Sequence, residues 1–524
     1  MTQNDQQLRR YHAPVWNEPV IMEMGHEGER GIVMPQVEMK IKSAVGPAQS
    51  LIPATMRRKH PPRLPELSQP QVLRHYLRLS QETLGMELNI HIGEGTCTMK
   101  YSPKLNEQLA RRIADVHPSQ DEDTLQGILE IVYKFGKLWL AEVSGMDEFS
   151  FQPGGGAEAA YTNACIIRKY HETNGELQQR NEIITTLFSH PCDAASPATA
   201  GFKIITLYPE AETGRPNVDA LKAAVSERTA GLMITNPEDT GIFNREIDEW
   251  TRIVHEAGGL CSYDQANANA ILGITRAKEA GFDLCFFNLH KTFSSPHGGS
   301  GPGCGAIGAK KELAEFLPVP IVTFDGNKYH LDYDRPHSVG KIKDFYGNVQ
   351  VVLRAYAWAV SMGADGLRET AEVSMINQNY LDKKLLEIPG VTKPYNVKRR
   401  VDQARYSLQK LKEETGIGIR DVNRRLADFG VEGIFQSHHP WVVPEPFTPE
   451  PCETYSKADI DYWAAVLRRV CNEAYADPEI VKKAPHNSFA ARINEAPLDD
   501  PEKWAMTWRA YLRKVKAESR ERPF

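Results

Sequence analysis

The run Asn288-Leu-His-Lys-Thr-Phe-Ser-Ser-Pro-His-Gly-Gly-Ser-Gly-Pro-Gly303 closes a short apolar stretch with His290-Lys291-Thr292 and enters a glycine-rich turn. A lysine at the C-terminal edge of a strand faces the crevice where α/β sheets bind ligands. In that setting its amine can lose a proton and attack an aldehyde, forming a Schiff base. Alone, such a lysine reads as a solvated surface residue. Lys291 has companions. Tyr263-Asp-Gln-Ala266, twenty-seven residues earlier, also ends an apolar run. An acid at Asp264 can keep a pyridinium nitrogen protonated, so the ring accepts electrons from a substrate carbanion. Ala266 is small enough for the ring to lie against it. Upstream, Gln152-Pro-Gly-Gly-Gly-Ala-Glu158 opens a predicted helix, where the amides of Gly155, Gly156 and Ala157 form a phosphate site. Asn236 is placed to reach a ring hydroxyl, and His290 and Thr292 flank the lysine. Together these groups suit pyridoxal 5′-phosphate.

The elements around them follow a rhythm. Helices are expected at 158–170, 218–227 and 245–257, and strands within 201–207, 231–235, 260–263 and 284–289. Short apolar strands alternating with amphipathic helices predict a mostly parallel sheet with helices on both faces. With the cofactor, this gives an α/β fold of the aspartate-aminotransferase type, fold type I. A Pro-rich arm is expected over 1–65, a large cofactor-binding domain over 66–330 and a small α+β domain over 331–524. The clearest helices of the small domain are 415–429 and 457–476.

Composition narrows the function classes. With 62 basic and 68 acidic residues and a net charge of −6, the chain has no electrostatic case for nucleic acid or an anionic membrane. No apolar run approaches the ~20 residues of a membrane helix. The first ten residues lack the apolar core of a signal peptide, so a cytoplasmic location is expected. Eight scattered cysteines without a Cys-x-x-Cys pair read as reduced buried thiols, and no metal site is expected.

The lysine run resembles the cofactor motif of the glycine cleavage system P-protein, glycine dehydrogenase (decarboxylating), in the form split into two chains. The likeness spans roughly residues 17–490. It includes Thr96-Cys-Thr-Met-Lys-Tyr-Ser-Pro-Lys104, 231–241, 282–303 and Ala484-Pro-His-Asn487. The resemblance implies that Lys291 carries the cofactor, that Asp264 pairs with its nitrogen and that His190 stacks on the ring. It implies decarboxylation of glycine and transfer of the aminomethyl group to the lipoyl arm of an H-protein. It also implies a first subunit as partner, in a dimer or heterotetramer. Thr96 and His297 are candidate contacts to the substrate carboxylate. The family pattern differs at three segments, where this chain has Ile92-Gly-Glu94, Glu158-Ala-Ala160 and Pro191-Cys-Asp-Ala194. The last replaces Gly-Thr-Asn-Pro. Glu94, Glu158 and Asp193 thereby introduce carboxylates, which suggests a pocket remodelled for a larger or more basic amino acid. Two alternatives stand beside the glycine enzyme: a paralogous lyase that needs no lipoyl carrier, and a non-catalytic cofactor-binding partner.

Overall fold

The computed structural model describes residues 7–60, 62, 64–85, 87–97, 100–296, 303–494, 497, 500 and 504–521. Contacts divide the chain into two units, Met1–Arg9 with Met86–Lys482, and Arg10–Gly85 with Lys483–Phe524. The helix Gln69–Glu82 groups with the N-terminal arm, and both expected domains continue into one unit.

That unit is built on a seven-stranded sheet. Its strands are β1 (Glu148–Ser150), β2 (Glu182–Thr186), β3 (Lys203–Leu207), β4 (Thr229–Thr235), β5 (Leu260–Asp264), β6 (Leu284–Asn288) and β7 (Gly305–Ala309). The spatial order is β1-β7-β6-β5-β4-β2-β3. All neighbours pair in parallel except β7, which is antiparallel to β6 and β1. Strands β2, β5, β6 and β7 are buried along almost their whole length, as a sheet covered on both faces requires.

Helix α1 (Gly156–Thr173) presents Ala160, Ala164 and Ile167 to an apolar cluster with Ile183, Met233 and Phe286. Helix α2 (Cys192–Thr199) follows β2, and α3 (Ile247–Glu256) follows β4. On the other face, Trp250 of α3 joins Leu232, Tyr263 and Phe282 in the main core. Helix α4 (Val349–Leu385) starts in that core and ends in a second one. The second core packs α4 against α5 (Ile419–Leu426) and α6 (Lys457–Ala476) through Leu381, Leu426 and Trp463. A capping box between Ser456 and Asp459 starts α6 where its apolar periodicity begins.

The second unit has its own order. The carboxylate of Glu18 takes hydrogen bonds from His75 (2.9 Å) and Arg78 (2.6 Å) on the helix Gln69–Glu82. The segment also exposes many apolar side chains, among them Val33 (79%), Met34 (69%) and Met39 (73%).

The turn after β4 is tightly specified. Gly241 has φ of 73°, and a Cβ there would overlap the carbonyl of Gln403. Gly241→Ala therefore meets both a left-handed strain and a backbone clash. We expect it to lower stability by roughly 2 kcal/mol or more, read from the denaturant midpoint.

Candidate active site

The C-terminal ends of β4, β5 and β6 converge on one small cavity. It is lined by His190, Thr235, Asn236, Asp239, Asp264, Ala266, Asn267, Lys291, Asp402 and Gln403. Lys291 follows β6, Asp264 ends β5, and Thr235 ends β4. Predicted residues from four separate segments thus meet at one place.

Asp264 is the anchor. It is buried, and its Oδ1 accepts from the Ala266 amide at 2.8 Å. Burial raises its carboxyl to about 6, with the Ala266 amide and the Lys291 charge pulling back. Below it lies Asp193 of α2, fully buried and hydrogen-bonded to Asp264. Two buried carboxyls in that contact need a proton between them, because neither can donate when ionised. Burial and the neighbouring acid push Asp193 far above the usual range, so Asp193 is the protonated member. Its Oδ2 has no other partner. The Cys192 thiol points at Asp264 from 3.9 Å and is held protonated by burial.

His190 is pushed down to about 4 by burial and by the Lys291 charge, so it is neutral at pH 7. Its Nδ1 accepts from the Cys192 amide at 3.1 Å, and its ring meets His438 edge-on at 5.4 Å. His438 in turn bonds Asp239 Oδ2 (3.0 Å), which also binds Arg405 (2.6 Å). The adjacent His439 turns to Phe188 and Trp441 instead. Asp239 stays ionised, since Arg405 and His438 overcome its burial.

Around the lysine, the Thr292 hydroxyl accepts from the Ala268 amide (2.8 Å) and meets Asn267 Oδ1 at 3.2 Å. It staples the loop after β5 to the lysine segment. His290 Nδ1 accepts from the Cys304 amide at 3.3 Å. The Asn236 side chain is held at both ends by the Asn244 backbone, at 3.1 and 2.8 Å. These three residues position the walls of the cavity.

The start of α1 lies against the same cavity. A Cβ on Gly156 would sit 3.0 Å from Asn288 Nδ2 and 3.6 Å from the Ala266 methyl. Glycine there lets the helix N-terminus, with its unpaired amides, approach the floor of the site. Two buried polar atoms at this place, Thr235 Oγ1 and Asn288 Oδ1, have no partner within the protein. A pocket carrying a half-buried lysine, a buried acid, amides at a helix start and orphaned polar atoms fits pyridoxal phosphate.

The three expected substrate carboxylates do not line this cavity. Asp193 faces Asp264. Glu158 accepts from the Gly154 amide and lies 3.8 Å from Lys343, so it caps the glycine turn. Glu94 is raised to about 7 by burial and by Glu432. Thr96, in its side chain, and His297 lie outside the described residues. Sequence reasoning missed Asp239, Asp402, Gln403 and Thr235. Asp402 is buried, raised to about 6, and accompanied by Glu450, whose Oε1 accepts from Asn267 (2.8 Å) and Asn269 (2.7 Å). Asp239 sits just beyond the Asn236-Pro237 motif and was within reach of it. Thr235 closes β4 one residue before that motif, whereas Asp402 and Gln403 arrive from the segment that leads into the second core, with no local signal.

Among the described residues, two His-Cys-Asp groupings bring possible ligand atoms together: His190, Cys192 and Asp264, and His255, Cys261 and Asp283. In the second, Asp283 is already bonded by His255 (2.7 Å) and Lys310 (2.9 Å).

No family model matches the chain. Its fold is that of the pyridoxal-phosphate enzymes of fold type I. A crystal structure of glycine decarboxylase (P-protein) of the glycine cleavage system matches with a TM-score of 0.70 at 20% identity. It covers 84% of this chain and 100% of that one. A sphingosine-1-phosphate lyase from Burkholderia pseudomallei matches at 0.59 and 12%, over 83% and 97%. Within that class, the chain belongs to the glycine dehydrogenase (decarboxylating) subunit 2 family. It is 43% identical to the Pyrococcus abyssi member over 505 residues, 96% of this chain and 98% of the relative. For Pyrococcus furiosus the figures are 45%, 500 residues, 95% and 97%. For Caldanaerobacter subterraneus they are 42%, 482 residues, 91% and 96%.

Two predictions follow from the buried acids. Asp193→Asn keeps a donor to Asp264 and should leave thermal stability nearly unchanged. Asp193→Ala strips that donor and should cost about 1–3 kcal/mol by denaturant titration. Burial also raises Glu238 and Glu450 to about 8. Between pH 6.5 and 8 these groups and Glu94 keep protons in the fold that they lose on unfolding. The folded state binds more protons, so stability falls as pH rises through this window. His190 acts in the opposite sense only below its ordinary 6.5. The melting temperature of the cofactor-free chain should therefore drop from pH 6.5 to 8, and Glu450→Gln should flatten that slope.

Proposed function

We propose that this chain decarboxylates glycine with pyridoxal 5′-phosphate and passes the remaining aminomethyl group to the lipoyl arm of an H-protein. The observation that carries this reading is the meeting of Lys291, Asp264 and Ala266 around one cavity beside the start of α1. The names of the 42–45% identical relatives support the choice of glycine.

When bound, the cofactor supplies an electron-accepting ring. The protein supplies the rest. Lys291 Nζ would hold the cofactor through its aldehyde. Asp264, backed by the proton on Asp193, would keep the ring nitrogen protonated. His190, neutral at pH 7, would offer an uncharged ring to the cofactor. The amides of Gly155, Gly156 and Ala157 receive the phosphate. Asn236, Thr292 and His290 act as positioning residues, because their side chains are engaged with the backbone of neighbouring loops. Thr96 and His297 remain candidates for the substrate carboxylate.

Asp193 and Glu158 lend no support to a larger or more basic substrate, since they are engaged by Asp264 and by the Gly154 amide, and Glu94 does not line the cavity. A first subunit is the proposed partner. The apolar surface of the arm, with Val33, Met34 and Met39 exposed, supports such an assembly. Among the described residues no helix is long and apolar enough to cross a membrane; the proposed site of action is the cytoplasm.

The test follows carbon dioxide exchange from labelled glycine, with the companion subunit and a lipoylated carrier present. Wild type should exchange. Lys291→Ala should lose visible cofactor absorbance and exchange together. Exchange with a larger amino acid but not glycine would overturn the reading.

A further inference from the structure

A groove of about 810 Å³ lies apart from the cofactor pocket. One wall is the turn 241–245 with Arg215, another is the 375–383 stretch of α4, and the third is the segment 397–401. Six cations line it: Arg215, Arg245, Lys383, Lys398, Arg399 and Arg400. The one acid is Asp382. The whole chain has more acidic than basic residues, so this ratio does not follow from composition.

None of the six cations makes an ion pair with a described residue. Asp382 acts on Arg400 only through its field, because its oxygens are taken by the Tyr406 hydroxyl (2.7 Å) and Lys393 (2.8 Å). Arg400 is the telling member. It is 4% exposed, its terminal nitrogens donate to the carbonyls of Val397 (2.6 Å) and Pro394 (2.9 Å), and its Nε has no partner. A buried guanidinium without a carboxylate is costly, and an anion in the groove would offset that cost.

We propose that this groove binds a small polyanion, a molecule carrying two or more phosphate or carboxylate groups. The volume lies within the roughly 300–1,000 Å³ of small-ligand pockets. Its walls run directly into the cofactor site. The Val401 amide donates to the Gly241 carbonyl at 3.1 Å, and Gln403 Nε2 donates to the Asp239 carbonyl at 3.3 Å. Asp239, Asp402 and Gln403 line the cavity at Lys291. Occupancy of the groove therefore holds two segments that also frame the active site. Binding itself does not depend on the catalytic reading; only this coupling rests on it.

The probe is pyrophosphate, titrated calorimetrically into the full-length, cofactor-saturated protein at fixed ionic strength. Cofactor saturation keeps the probe from the amides at the start of α1. We expect one saturable site, weakened at least tenfold in Lys398→Ala/Arg399→Ala, whose substituted side chains are exposed and outside the catalytic machinery. We also expect slower amide exchange at 239–241 and 401–403 on binding. Absence of saturable binding at roughly 1 mM probe, or equal binding by the double variant, would overturn the proposal. So would a silent pyrophosphate titration combined with weaker binding of an acidic carrier protein to the double variant, which would make the groove a protein-docking surface.

Discussion

Burying a carboxylate without a cation or a proton is prohibitively expensive, and the architecture around Lys291 is organised by that constraint. Each acid at the site resolves it differently. Asp239 keeps its charge because Arg405 and His438 converge on one oxygen. Asp264 shares a proton with Asp193. Glu450 is held by two asparagine amides and is raised to about 8. The result is a cavity in which a base, a neutral ring and graded acids coexist within one low-dielectric space. Their protonation states are set by neighbours from α2, the loop after β5 and the second core.

The same constraint explains why changes in sequence at pocket-like segments do not read out as changes in substrate. Where the family pattern has asparagine, this chain has Asp193. A protonated aspartic acid and an asparagine both present one donor to Asp264, so the substitution preserves the contact. Glu158 enters a helix start, where a carboxylate is stabilised by the unpaired amides, and it takes the Gly154 amide. An acidic substitution looks like new specificity in the sequence, but in the fold it completes a hydrogen-bond network.

The legible part of the site is the part that sits at strand ends. Lys291, Asp264, Ala266, Asn236 and His190 each follow an apolar run, so a parallel sheet brings them together whatever the loops do. Strands β3 to β6 carry enough β-branched and aromatic residues to be read. Strand β7 does not. Gly305-Ala-Ile-Gly-Ala309 resembles a loop, yet Gly308 is required because the Phe149 ring lies where a Cβ would be. Helix α4 is obscured by Gly363, at φ of 65°, which interrupts its periodicity. Asp402, Gln403 and Glu450 were beyond reach, because only the packing of the second core carries them to Lys291.

That packing also bears on substrate size. The wall opposite Lys291 is made of side chains bonded to one another. Asn267 reaches Asp402 (3.3 Å) and Glu450 (2.8 Å), and Gln403 is tied to the Asp239 backbone. Such a wall yields poorly, since moving one member leaves others buried and unpaired. No arginine lines the cavity among the described residues, and the nearby Arg405 is already neutralised by Asp239. Arg405 is thus not available to a substrate carboxylate as a free guanidinium. For a reaction in which that carboxylate must leave, a strong ground-state ion pair would raise the barrier. A rigid wall and a spent arginine both favour an amino acid with no side chain and a carboxylate that departs.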